Sequence, residues 1–504
     1  MYNNKLIFGK NELTHVVGVE PDDGRLIIFQ EINGEVKQTF IDNKYWILTD
    51  RKVSSKMSEL KGDQHYKYIA TFDTIEEQRN VRGILKKNNI DKYDIYNSKE
   101  ASMVYNGITY FKGMKPQDVS VLSFDIETTG LVHDKNSKVL LISNTFRKNG
   151  KITKRLFAYD DYNSDREMFE DWSAWVRELN PAIILGHNIL GYDLGYLNYC
   201  ANRNYARLSL GRDGSDLQID KYESNFRVDG NQDLQYYNAS IWGREIVDTM
   251  FLARRYDIGK KYESYGLKAI IKHEGLEKKD RQFYDAGEIR NNYQNPEEWA
   301  KIKAYAIDDA DDALALYDLM IPATFYFTQS VSKPFQVMIN SATGSQINNM
   351  MVRSYLQDGY SIAKADEKVS YQGAISFGIP GIYTNCYKQD VSSLYPSIMR
   401  QYQVYSKEKD PNKHFIQMVE YFTVERLKNK KLAKETGDQY YKDLEQSQKI
   451  AINSKYGFLG APGLNYNYPD GADFITKSGR EILNKAIVFA TGHDVTYWLD
   501  KVGE

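Results

Sequence analysis

The 504-residue sequence has only two cysteines, Cys200 and Cys386. Two thiols so far apart rule out a disulfide framework and fit a reducing, cytoplasmic setting. No stretch approaches the roughly 18 apolar residues that a bilayer span needs, and Met1–Lys10 lacks the apolar core of a secretory leader, so no membrane partner is expected. Charge of one sign is also missing: 66 Lys plus Arg stand against 68 Asp plus Glu. No global basic field therefore advertises a nucleic-acid partner, although acidic sites elsewhere can mask a local basic groove. Repeats and low-complexity tracts are absent. The 42% hydrophobic and 27% charged fractions are those of an ordinary globular chain. At this length one core does not suffice, and three or more domains are expected.

From Lys5 to about Leu48, short apolar runs such as Val16-Val17-Gly18-Val19 and Leu26-Ile27-Ile28-Phe29 alternate with the turn signals Asp22-Asp23-Gly24 and Asn33-Gly34. That pattern predicts a small β-rich module. A helical patch follows near Thr74 to Lys87. Between Ser120 and about Tyr317, strand-like and helix-like runs alternate, which predicts an α/β domain.

The run Val119 to Thr128 reads as a strand ending in two carboxylates. Side chains alternate along a strand, so Asp125 and Glu127 point to one face, a few ångström apart. Like charges so placed repel unless a cation lies between them, and hard oxygen ligands suit Mg2+ or Mn2+. The plain alternative is two acids at a solvated strand end. Further along, Gly186-His187-Asn188-Ile189-Leu190-Gly191-Tyr192-Asp193 follows the apolar run Ala182 to Leu185. Tyr305 and Asp309 stand four apart on a helical run, hence on one face. The succession D-x-E, N-x-x-x-Y-D, Y-x-x-x-D resembles the proofreading 3′→5′ exonuclease of family B DNA polymerases. The resemblance implies that Asp125, Glu127, Asp193 and Asp309 hold two metal ions about 3.5–4 Å apart. It also implies that Tyr305 orients the attacking water and that Asn188 contacts DNA. Within Asp308-Asp309-Ala310-Asp311-Asp312 only Asp309 has the four-residue offset from Tyr305. Asp308, Asp311 and Asp312 are read as solvated or structural. Two weaker family-like runs, Gly243-Arg244 followed by Asp248 and Tyr265 to Ile270, are assigned no chemistry.

Asp390-Val391-Ser392-Ser393-Leu394-Tyr395-Pro396-Ser397-Ile398 reads as a buried strand that delivers one carboxylate and then turns. Val391, Leu394 and Ile398 supply apolar contacts, while Pro396 can neither extend a strand ladder nor sit inside a helix. The string resembles the first catalytic motif, motif A, of the same family. Lys449-Ile450-Ala451-Ile452-Asn453-Ser454-Lys455-Tyr456-Gly457 resembles its fingers motif, and helical spacing puts Lys449, Asn453 and Tyr456 on one face. These resemblances imply that Asp390 and the Val391 carbonyl bind metal and that Val391, Leu394 and Tyr395 border the nucleotide. The Tyr395 ring would lie against the deoxyribose. Lys449 would contact the triphosphate, with Asn453, Tyr456 and Gly457 lining the nascent base pair. Lys430 and Lys434 share a helical face where the family usually clamps the triphosphate with Arg and Lys. A lysine in the first place keeps the charge but loses the planar fork, and a solvated helix face is the plain alternative. Tyr371-Gln372-Gly373-Ala374 resembles the segment that touches DNA between the two sites, which places Tyr371 and Gly373 on DNA.

The expected architecture is multi-domain, α/β and α+β. A β-rich N-terminal domain occupies 1–101 and a ribonuclease H-like exonuclease domain 102–335. Residues 336–372 return to the N-terminal domain. The first part of a palm follows at 373–416, helical fingers at 417–460 and an incomplete second part of the palm at 461–504. The family's Y-G-D-T-D-S hairpin, which carries the second polymerase aspartate, does not follow Gly457, and neither does a thumb. Three accounts compete: a naturally split polymerase, a partial gene, or a stand-alone exonuclease or DNA-binding accessory subunit. The first is the expected function, a DNA-directed DNA polymerase with proofreading that needs a second chain for synthesis. Its ligands would be primer-template DNA, deoxynucleoside triphosphates and Mg2+, with Mn2+ able to substitute, in two-metal sites. The second polypeptide would carry the C-terminal palm and thumb and, through them, reach a sliding clamp. The phage members of the family, in which split genes occur, are the nearest in character and would place the chain in host cytoplasm.

Overall fold

Turn chemistry shapes the N-terminal sheet. A computed structural model describes residues 4–227, 233–257, 259–391 and 393–503. In it β1 (Val16–Asp22), β2 (Arg25–Ile32) and β3 (Glu35–Asp42) form an antiparallel meander. Asn33 and Gly34 both take positive φ (52° and 78°), the two-residue turn whose twist matches the strands it joins. A second sheet has the order β5-β6-β4-β7, from β4 (Tyr45–Thr49), β5 (Ser58–Glu59), β6 (Tyr68–Phe72) and β7 (Lys92–Tyr93). The helix Ile75–Lys87 begins at Thr74, whose side chain and Glu77 form a reciprocal capping box. The chain comes back to this sheet much later: Lys61 N donates to Gly359 O and Tyr66 N to Ile362 O, both at 2.9 Å.

A five-stranded mixed sheet positions the acidic residues. It contains β8 (Val121–Thr128), β9 (Val139–Lys148), β10 (Lys151–Ala158) and β11 (Ile183–Gly186). The hairpin β12 (Gln218–Arg227) and β13 (Asp233–Ser240) projects before the last strand, β14 (Glu245–Asp248). The order is β10-β9-β8-β11-β14, with the first three antiparallel and β11 parallel to both β8 and β14. This is ribonuclease H-like topology. Alternation along β8 assigns its two faces. Phe124 packs against Trp172 of the helix Asp165–Leu179, ring centroids 5.5 Å apart. Ser123, on the other face, donates to the Ala310 carbonyl of the long helix Pro296–Met320 at 2.7 Å. Asp125 and Glu127 share that second face.

The last third is helical. His414–Thr436 and Gln439–Gly460 form an antiparallel pair, closed by Gly437 in the left-handed region and started again by the Asp438 N-cap. Two further helices follow, Pro469–Thr491 and Val495–Gly503, parted at Gly492 (φ 76°). No helix among the described residues is long and apolar enough to cross a membrane.

The palm departs from expectation. Residues 363–391 contain no helix or strand, and neither expected palm segment forms a sheet within the described residues. Asp390 and Val391 are exposed, not delivered by a buried strand, and Ser392 lies outside the described residues. A strand is held by cross-strand hydrogen bonds and packing rather than by its own propensity, and the described residues offer this segment no neighbour to pair with. Leu394–Tyr402 is a helix with Pro396 in its first turn, buried. A first-turn residue has no intrahelical N–H bond to lose, so proline is tolerated there.

Candidate active site

Three carboxylates converge where β8 meets the long helix. Asp125, Glu127 and Asp309 each offer an oxygen, and these atoms all lie within 4.8 Å of one another. Asp193 stands beside them as the first residue of the helix Asp193–Arg203, buried, its carboxylate accepting from the Ile126 amide. The electrostatics follow from crowding in a desolvated place. Burial pushes the Glu127 carboxyl up to about 8, with Asp309 adding to it. Burial and Asp248 push Asp193 up to about 7. Asp125 is raised well above the usual carboxylate range by burial, then by Asp193 and Glu127. Four acids that resist ionising together form a donor set for hard divalent cations, all oxygen and largely dry. Asp125 and Asp193 on one side, and Asp125, Glu127 and Asp309 on the other, are the residues able to hold them.

The rest of the acidic run is structural. Asp311 is buried and paired with Lys154, Lys278 and Thr145. Asp312 meets Arg281 at 2.9 Å, and Asp308 accepts from the Gln282 amide at 2.9 Å. Asp311 and Asp312 are therefore interior ion-pair partners, not solvated charges.

Sequence reading assigned no chemistry to Lys268, yet it reaches the centre of the site. It lies in the first turn of the helix Leu267–His273, and its Nζ donates to the Tyr305 hydroxyl. Tyr305, buried, in turn hydrogen-bonds Asp309. The Lys268 charge also opposes the desolvation of Asp125, Glu127 and Asp309. Arg281 is a second addition, its guanidinium bridging Asp309 (2.7 Å) and Asp312. Nothing in residue type or spacing separates these two cations from the surface cations around them. Replacing Lys268 with methionine is expected to slow nuclease turnover about 10- to 100-fold, the usual cost of losing an outer partner of a metal-site ligand. Substrate affinity should change little, so the loss belongs in kcat; a change confined to KM would make Lys268 a DNA contact.

Asp248, fully buried, braces the loop that carries Asp193. It accepts from the amides of Asn188 (2.9 Å), Leu190 (3.0 Å) and Met250 (2.9 Å). Asn188 sits half-buried in that loop with φ 65°. His187 is locked between Thr249 and the Tyr265 carbonyl, and burial pushes it down to about 4, which leaves it neutral.

The residues expected around a nucleotide are gathered in part. Tyr395 and Tyr456 lie with ring centroids 4.6 Å apart, and the Tyr371 side chain hydrogen-bonds Tyr456. Arg480 Nη1 donates to the carbonyls of Gln372 (2.7 Å) and Gly373 (2.6 Å), which pins the Tyr371–Gly373 segment to the helix Pro469–Thr491. Leu394 is half-buried, while Lys449, Asn453 and Gly457 are exposed along one helix. Lys430 and Lys434 are exposed on the antiparallel neighbour. Asp390 and Val391 lie in the segment without helix or strand, and among the described residues no group of potential metal ligands includes Asp390.

The site is thus a carboxylate cluster at the ends of the central strands of a ribonuclease H-like sheet. Comparison with known proteins narrows this. Residues 104–270 match the family model described as DNA polymerase family B, exonuclease domain. The DNA polymerase of Pyrococcus glycovorans is 23% identical over 92% of this chain and 66% of its own length. The DNA polymerase delta catalytic subunit of Dictyostelium discoideum is 25% identical over 73% of this chain and 38% of its own length. The solved family B DNA polymerase of the hyperthermophilic archaeon Pyrobaculum calidifontis superposes with a TM-score of 0.73 at 19% identity, over 94% of this chain and 71% of that one. Residues 104–270 are therefore similar to the exonuclease domain of family B DNA polymerases, and the fold over most of the chain is that of the solved Pyrobaculum calidifontis polymerase. The chain spans 66% of the length of the Pyrococcus glycovorans relative and 54% of that from Thermococcus sp. 9oN-7.

Proposed function

We propose that this chain removes nucleotides from the 3′ end of single-stranded DNA, and that it also holds part of a DNA polymerase site. The observation that carries the first claim is the Asp125–Glu127–Asp309 cluster with Asp193 beside it. Two Mg2+ ions, or Mn2+, would supply Lewis-acid stabilisation of the attacking and leaving oxygens there. The chain's own residues do the rest. Tyr305, aligned by Lys268 and Asp309, presents its hydroxyl where a water must be held. The buried carboxylates keep the site dry and anionic, and Arg281 fixes the Asp309 rotamer. The test is degradation of a 5′-labelled single strand by the purified chain. A ladder shortening from the 3′ end is expected with Mg2+ or Mn2+ and none with EDTA; undiminished cutting in EDTA would remove metal from the reaction.

For synthesis, Tyr395, Tyr456, Lys449, Asn453, Lys430 and Lys434 would receive a deoxynucleoside triphosphate opposite primer-template DNA. Asp390 would become a metal ligand only when further polypeptide, in this reading a second chain, completes the palm and brings the thumb. A sliding-clamp contact would lie on that polypeptide. The proposed units are those laid out above, with boundaries near 101, 335, 372, 416 and 460. Two unpaired cysteines, one buried and one exposed, fit a cytoplasmic protein. One observation favours a second reading, a 3′→5′ exonuclease without synthesis: Asp390 stands exposed in a segment with no strand.

A further inference from the structure

A cavity of about 200 Å³ lies in the seam between the N-terminal sheet and the exonuclease sheet, with Phe29, Gln38, Asn180, Arg177, Arg212 and Arg244 in its wall. It opens beside the starts of β11 and β14, the opposite strand ends from Asp125 and Asp193. Three guanidiniums converge there, and their acceptors are all neutral. Arg212 donates to the Gly243 carbonyl (2.7 Å), the Pro181 carbonyl (3.1 Å) and the Asn180 amide oxygen. Arg244, 3% exposed, donates to the Leu210 carbonyl (2.9 Å), to Asn180 Oδ1 (3.1 Å) and to the Pro181 carbonyl. Arg177 donates to the Ser209 carbonyl. Among the described residues, Arg244 Nη2 and two nitrogens of Arg177 meet no protein acceptor.

The nearby acids act on the cluster only through space, Glu31 on Arg212 and Asp216 on Arg177, and take their hydrogen bonds from other groups. Glu31 takes the Ser120 amide and hydroxyl at 3.0–3.1 Å, and Asp216 takes Arg207 and Ser209. The result is a partly dry cluster of like charge. Burial, then Arg212 and Arg177, pull Arg244 down to about 8. Such a cluster is costly unless an anion joins it. The crowding is also built in. Gly243 has φ 74°, and a Cβ there would stand 2.7 Å from Arg212 Cδ and 3.1 Å from the Phe29 ring. Its absence lets Arg212 lie against that ring, 5.1 Å from the centroid.

We propose that this seam is a phosphate-type oxyanion site, with Arg177 and Arg244 as the direct donors and Arg212 as the fixed positive wall. Guanidinium forks suit phosphate oxygens. The volume is below the roughly 300–1,000 Å³ of ordinary small-molecule pockets, so the guest is one phosphate or phosphomonoester, not an oligonucleotide. The site is independent of the exonuclease reading.

The experiment is equilibrium dialysis of the full chain with radiolabelled orthophosphate, in EDTA and at ionic strength fixed with chloride. One saturable phosphate per chain is expected, with Arg177→Gln and Arg244→Gln each weakening it about tenfold or more. The Asp125→Ala, Glu127→Ala double variant should bind as the wild type does. Arg177 lies at the half-buried rim, so Arg177→Gln and Arg177→Lys keep the test decisive if Arg244→Gln does not fold. Absence of saturable binding, or equal binding by the folded Arg177 variants, overturns the site. Competing oligonucleotides identify the source. Displacement by a 5′-phosphorylated strand but not its 5′-hydroxyl twin points to a DNA end, and displacement by neither points to a free phosphate or mononucleotide. Equal displacement by both would mean backbone binding and refute the assignment.

Discussion

Replacing Asp125 and Glu127 together by alanine is expected to lower 3′-end degradation by about a thousandfold or more while the protein stays folded. The two residues supply most of the oxygen donors facing Asp309. A metal ion contributes several kcal/mol to a phosphoryl transition state, and each 1.36 kcal/mol is tenfold in rate. The same variant carries a second signature without metal. Glu127 and Asp193 hold protons in the folded state up to about 8 and 7, and lose them near 4 when unfolded. The folded chain therefore binds more protons than the unfolded one between these limits, so stability falls as pH rises from about 4 to about 8. In EDTA the wild type should melt lower at pH 8.5 than at pH 5, and the double variant should show a smaller drop. Initial rates on a labelled strand, circular dichroism and melting curves at the two pH values decide it. Full nuclease activity in the double variant would move the chemistry to other residues.

Primer extension gives the second large effect. Alone, the chain is expected to extend a primer negligibly, because Asp390 lies exposed in a segment without strands and a single aspartate cannot assemble a two-metal site. Adding a polypeptide with the remaining palm acids and the thumb should restore template-directed synthesis, and Asp390→Ala in this chain should abolish it again. The surfaces that would receive such a partner are apolar and solvent-facing: Ile382 is fully exposed, Tyr387 94% and Phe489 89%. Robust synthesis by this chain alone would refute the argument. Failure of the pair, with both folded, would leave the exonuclease as its activity.

What the sequence revealed tracks how local each signal is. The period-two rule along β8 placed Asp125 and Glu127 together, and a four-residue helical offset selected Asp309 from a run of acids. The Asn33-Gly34 turn was equally readable, because it is decided within a few residues. Lys268 and Arg281 were not. They reach Tyr305 and Asp309 from a separate short helix and a loop, and only the tertiary fold distinguishes them from surface cations. The strand expected at Asp390 is absent for a related reason. A strand depends on what lies beside it, and the nine residues from Asp390 to Ile398 say nothing about whether that neighbour is present. Pro396 was misjudged because its ban on helices spares the first turn.

The long helix Pro296–Met320 is tied to the sheet just past the acidic cluster, through Ser123 to Ala310 and through Thr145 to Asp311. Each residue inserted into an α-helix rotates everything beyond it by about 100°. One added or lost residue between Tyr305 and Asp309 would turn one of them away from the carboxylates while the anchors held the other. Over evolutionary time this stretch can therefore change letters but not length. A change of length is tolerated instead in loops such as the one between Asp193's helix and β12, which leave the spacing of the two residues intact.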